Sequence, residues 1–81
     1  MVQVLLTGSM RALAGGQEVV ELEASTFKEV MDGLRAAHPA LAPVIDRGVS
    51  LAVDGLIYRN SWFTEVKPDS EVVVMPYMKG G

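Results

Sequence analysis

The chain has 81 residues, 49% of them hydrophobic and 21% charged. That supports one domain with one modest core, since a chain this short buries roughly 60–65% of its unfolded surface, and it excludes a disordered polypeptide, which lacks the apolar surface to offset its ordering entropy. A net charge of −3 without a basic cluster speaks against nucleic-acid and membrane-surface partners, and the absence of cysteine removes disulfides, thiolate metal sites, iron–sulfur ligation and cysteine nucleophiles.

Residues 2–7 alternate, with Val2, Val4 and Leu6 on one face and Gln3, Leu5 and Thr7 on the other, which predicts a first strand. Gly8, Gly15 and Gly16 bracket Met10-Arg11-Ala12-Leu13-Ala14 and predict a connection containing one helical turn. Over 17–23, Val20 and Leu22 alternate with Glu21 and Glu23, the pattern of a hairpin partner. Thr26 followed by Glu29 fits a capping box, in which hydroxyl and carboxylate satisfy each other's backbone donors, so a helix is expected to begin there. Phe27, Val30, Met31, Leu34 and Ala37 share one helical face, and Pro39 cannot continue the ladder, which puts the helix end near His38. Residues 41–45 supply at most a short helical turn.

Residues 49–54 predict a third strand with Leu51 and Val53 inward, and Asp54-Gly55 is a hairpin signal because both turn positions favour positive φ. A short strand over 56–58 follows, then a turn at Lys67-Pro68-Asp69-Ser70 and a strongly strand-like run over 71–77. In that run Val72 and Val74 share a face opposite Glu71, Val73, Met75 and Tyr77. The order predicts an α+β fold of the β-grasp, ubiquitin-like type, a mixed sheet of four to five strands with one main helix on one face. The domain is expected to occupy residues 1–77 and to leave 78–81 as a flexible C-terminal Gly-Gly tail.

Catalytic constellations are lacking. His38 stands alone at a helix end, where imidazole more often meets terminal carbonyls than ligates metal or moves protons. The serines have no base at a recognisable spacing and no Gly-x-Ser-x-Gly context. The glycines at 8, 15 and 16 lack the Gly-Lys-Ser/Thr of a phosphate loop and are turn formers. Glu18, Glu21 and Glu23 make an acidic strand edge, ordinarily a solvated one, although clustered carboxylates can steer a basic partner. Trp62-Phe63 offers an interaction anchor, but one of the pair is expected to close the core beside the helix. No apolar run approaches the ~20 residues of a membrane span and the N-terminus leads straight into a strand pattern, so the cytoplasm is the expected compartment.

The end of the chain differs. The last strand runs into Met78-Lys79-Gly80-Gly81. A four-residue tail extends roughly 13–14 Å, and glycines have no Cβ to clash with the walls of a narrow channel. The group delivered by such a tail is the terminal carboxylate. Leu5, Val73, Met75 and Tyr77 lie on the sheet face away from the helix, and an apolar group facing solvent there is a candidate protein interface.

The sequence resembles the MoaD/ThiS sulfur-carrier family, most of all its MoaD branch, the small subunit of molybdopterin synthase. The resemblance rests on the opening strand, Arg11-Ala12-Leu13-Ala14-Gly15, the Thr26-x-x-Glu29 helix start, Val53-Asp54-Gly55, Glu71-Val72, Pro76 and Gly80-Gly81. It implies that a MoeB-like, E1-like activating enzyme adenylates Gly81 with ATP and that a sulfur donor displaces AMP to leave a thiocarboxylate. Adenylation is needed because a carboxylate is a poor electrophile. Gly80 would be the flexible approach, Met78 and Lys79 would contact the partner near the channel mouth, and a MoaE-like large subunit would receive the tail. The domain itself would bind no cofactor; the ATP belongs to the activating partner. Carriers serving thiamine, cysteine or another product share this tail logic. A ubiquitin-like modifier joined through Gly81, and a non-covalent β-grasp module with an inert tail, are the readings of other classes.

Overall fold

In the computed structural model, which describes residues 1–59 and 62–76, the alternating segments become β1 (Val2–Leu6), β2 (Val19–Leu22), β3 (Val49–Val53), β4 (Leu56–Arg59) and β5 (Glu71–Pro76). They form one five-stranded sheet in the order β2-β1-β5-β3-β4. Only β1 and β5 run parallel, with Leu5 opposite Val73 and Leu6 opposite Val74; β2 joins β1, and β3 joins both β4 and β5, antiparallel. This is the mixed-sheet β-grasp architecture that the order of elements predicts.

The inward residues of each strand meet one long helix, α2 (Phe27–Ala37), which follows the short α1 (Ser9–Leu13). Val2, Val4 and Leu6, Val72 and Val74, and Leu51 pack beneath Phe27, Val30, Met31 and Leu34 in a single buried core. Met10 from α1 and Val66 from the long connection before β5 close it. Thr26 caps α2, its hydroxyl accepting from the Glu29 N–H at 3.2 Å. The return arm of the box lands one residue earlier than the usual pattern, because the Glu29 carboxylate accepts from the Ser25 N–H and hydroxyl, each at 2.7 Å. Asp54 and Gly55 adopt φ of 51° and 87°, as the hairpin joining β3 to β4 requires.

Three expectations are corrected. Ala37 is exposed; at that end of the helix the buried apolar contact comes from Leu41 instead. The segment after it is more helical than a single turn, a 3-10 turn Pro39–Leu41 leading into α3 (Ala42–Arg47). Neither Trp62 nor Phe63 closes the core: they are 40% and 87% exposed. Their segment is bonded to the outside of the helix start, with the Phe27 N–H donating to the Thr64 carbonyl and the Lys28 N–H to the Trp62 carbonyl.

Candidate functional site

The expected reacting end is carried by β5, the middle strand of the sheet, bonded to β1 on one side and β3 on the other. A strand held on both edges cannot shift register without breaking two ladders at once, so the position of its last residue, Pro76, is fixed. Three contacts pin its ends. At the start, the Glu71 N–H donates to the Asp54 carboxylate at 2.8 Å and the Asp54 N–H to the Glu71 carbonyl at 2.9 Å. The preceding turn closes on itself, with the Ser70 N–H donating to the Lys67 carbonyl and the Lys67 N–H to the Ser70 hydroxyl. Towards the exit, the Thr7 hydroxyl donates to the Val74 carbonyl at 2.8 Å, just past the last pairing of β1 with β5. Pro76 follows, opposite Val49, beyond the reach of that pairing, where a missing donor costs least.

Of the residues expected to act, Gly81, Gly80, Lys79, Met78 and Tyr77 lie outside the described residues. Leu5, Val73 and Met75 lie on the outer face and are half-buried rather than open, because neighbouring strands shield one another. The register shows what sequence alternation alone could not. Val19, Leu5, Val73, Ala52 and Ile57 stand side by side on β2, β1, β5, β3 and β4, forming one apolar row across the whole sheet. Ile57, at one end of it, is 64% exposed. Val19, Ala52 and Ile57 are therefore additions to the predicted face, and Thr7, which alternation already puts on it, gains a role in holding β5. A hydroxyl at a strand end beside an apolar run was the only available signal for Thr7.

Elsewhere the chemistry is sparse. No group of three metal-ligating side chains converges among the described residues. No helix among them is long and apolar enough to cross a membrane. His38 acts through its backbone, its N–H donating to the Leu34 carbonyl and its carbonyl accepting from the Leu41 N–H. On the helix side Lys28, Asp32, Arg35, Trp62 and Phe63 line a groove. There Lys28 sits 2.7 Å from Asp32, and Arg35 bridges Asp32 and Asp46. The Lys28 ammonium, hydrogen-bonded to Asp32, holds that carboxyl below the usual aspartate range. Trp62 meets Phe27 edge-on, with ring centroids 5.4 Å apart.

Residues 4–81 match the ThiS family. No curated protein matches the chain. Among solved structures, a chain of the BexX/CysO complex of Amycolatopsis orientalis is 22% identical, with both chains covered in full and a TM-score of 0.81. The small archaeal modifier protein SAMP1 of Methanosarcina acetivorans is 24% identical over 99% of this chain and 95% of that one, with a TM-score of 0.82. SAMP1 of Haloferax volcanii is 21% identical over 99% and 98%, with a TM-score of 0.73. At these identities the likeness is one of fold.

Proposed function

This chain belongs to the ThiS family, and from that premise we propose that it carries sulfur on Gly81 and donates it in molybdopterin synthesis as the small subunit of molybdopterin synthase. The observation that carries the proposal is the placement of β5, a strand locked on both sides whose last residue, Pro76, ends beside a half-buried apolar face. The family match extending through Gly80 and Gly81 supports it. The Gly81 carboxylate attacks the α-phosphate of ATP on an E1-like, MoeB-like enzyme and releases pyrophosphate. Hydrosulfide released by a sulfur donor then attacks the acyl carbon, expels AMP and loses its proton, leaving the thiocarboxylate. The row from Val19 to Ile57, together with Met75 and, later in the sequence, Tyr77, Met78 and Lys79, seats the partner, first the activating enzyme and then a MoaE-like large subunit. The proposed compartment is the cytoplasm.

Reconstitution tests the pathway. Loaded protein mixed with a MoaE-like subunit and the sulfur-free pterin precursor should yield the dithiolene product. Loaded protein that transfers no sulfur to the pterin would refute the molybdopterin assignment. A second reading, a ubiquitin-like modifier, is favoured by the fold shared with the SAMP1 structures, named as small archaeal modifier proteins. It predicts Gly81 in isopeptide linkage to lysines of other proteins, visible as branched peptides after digestion.

A further inference from the structure

The outer face of the sheet is unevenly charged along its strands. Successive cross-strand rows on it are two residues apart, roughly 7 Å. Nearest the exit of β5 stand Arg59, Ser50 and Met75; the apolar row comes next; furthest from the exit, Glu21, Gln3 and Glu71 are in register on β2, β1 and β5. All three of these last residues are exposed. Two strand spacings, about 10 Å, separate the backbone positions of Glu21 and Glu71, with only the neutral Gln3 between them. Glu23, also exposed, lies two residues beyond Glu21. None of the ion pairs among the described residues engages Glu21, Glu23 or Glu71. Among the ion pairs of the described residues, Lys28 and Arg35 engage Asp32 and Asp46, and Arg11 engages Glu18. Lys67 lies in the turn before β5 rather than in these rows.

We propose that Glu21 and Glu71 form the far rim of the docking face, and that the protein seated on the apolar row opposes them with a cluster of lysine or arginine side chains. This rests on the reading of that row as the docking surface. An apolar row running straight across the strands does not distinguish a partner from the same partner turned end for end. Turned, that partner would hold its reactive site at the wrong end of β5. Carboxylates that no ion pair among the described residues engages, confined on this face to the end remote from Pro76, break the ambiguity: a cationic patch on the partner is drawn to that end and the partner's reactive site is held at the opposite one. Exposed rim charges of this kind act on encounter and orientation more than on the lifetime of the complex.

Stopped-flow association of the intact protein with its ATP-dependent activating enzyme, over a series of ionic strengths, tests this. Glu71→Lys should slow association about fivefold at low salt and flatten its salt dependence, with the dissociation rate little changed. Asp46→Lys makes the same charge change on the helix side and should alter the rate less than about twofold. The near-isosteric pair Glu21→Gln with Glu71→Gln should slow association in the same sense without threatening the fold. Wild-type rates and salt slopes in both the Glu71→Lys protein and the double glutamine variant would overturn the proposal. Ala52→Asp separates the two levels. If it abolishes binding while the rim variants bind normally, the docking face stands and the rim fails; if it binds normally, the face itself is wrong.

Discussion

Thr7 holds the end of β5 through the hydrogen bond from its hydroxyl to the Val74 carbonyl. Valine has the same shape and no donor, so Thr7→Val should cost about 1 kcal/mol, read as a lower urea midpoint with an unchanged slope. Glu29 offers a pH test. The Ser25 hydroxyl, and then the Ser25 N–H, donate to its carboxylate and hold it below the ordinary glutamate range. A carboxyl whose folded value is depressed stabilises fully above the unfolded value and loses that contribution as pH falls through the folded one. Glu29→Gln should therefore lose less stability than the wild type between neutral and acid pH, measured by urea unfolding at each pH; parallel curves would contradict the assignment. At this scale the sequence was half legible. Thr26 and Glu29 announced the cap, but the choice of Ser25 as the donor depends on side-chain reach, which spacing does not encode.

Helix α2 approaches the sheet closely at Gly33, where an added Cβ would stand 3.2 Å from both methyl carbons of Leu22. Alanine there sets a gain in helix propensity against a slight push on Leu22. Gly33→Val adds bulk that β2 must yield to, and should cost about 1–3 kcal/mol, seen as a fall of several degrees or more in Tm. The strands and α2 were legible because their periods of two and 3.6 are imposed by burial on one side, and Val72, Val74, Val30 and Leu34 are all buried as that logic requires. The stretch from Pro39 to Arg47 was under-read because its prolines look like breakers. Each falls in the first turn of its helix, where a missing N–H costs nothing. Trp62 and Phe63 misled for another reason. Aromatic residues usually close a core, but here Phe27 and Val66 already do, and backbone bonds hold the pair outside α2.

For the molecule as a whole, what matters is which strands become neighbours, and the order β2-β1-β5-β3-β4 is set by long-range pairing that no local pattern reports. That is why Leu5, Val73 and Met75 could be assigned to the outer face from alternation, whereas their continuation through Val19, Ala52 and Ile57 emerged only from the register. A carboxylate in the middle of that row should prevent seating: Ala52→Asp, at a half-buried position on the outer face, is expected to weaken binding to the activating enzyme at least about tenfold, because an unpaired charge would be desolvated in the interface. Circular dichroism of the free variant should remain that of the wild type. The central claim is that this scaffold presents Gly81 for activation and sulfur loading. Its most direct test is the intact mass of the protein after incubation with ATP, the activating enzyme and a sulfur donor, beside a variant lacking Gly81. The account predicts that one oxygen of the full chain is replaced by sulfur and that the shortened chain is unchanged. A full chain that stays unmodified, or a shortened chain that gains sulfur equally well, would contradict it.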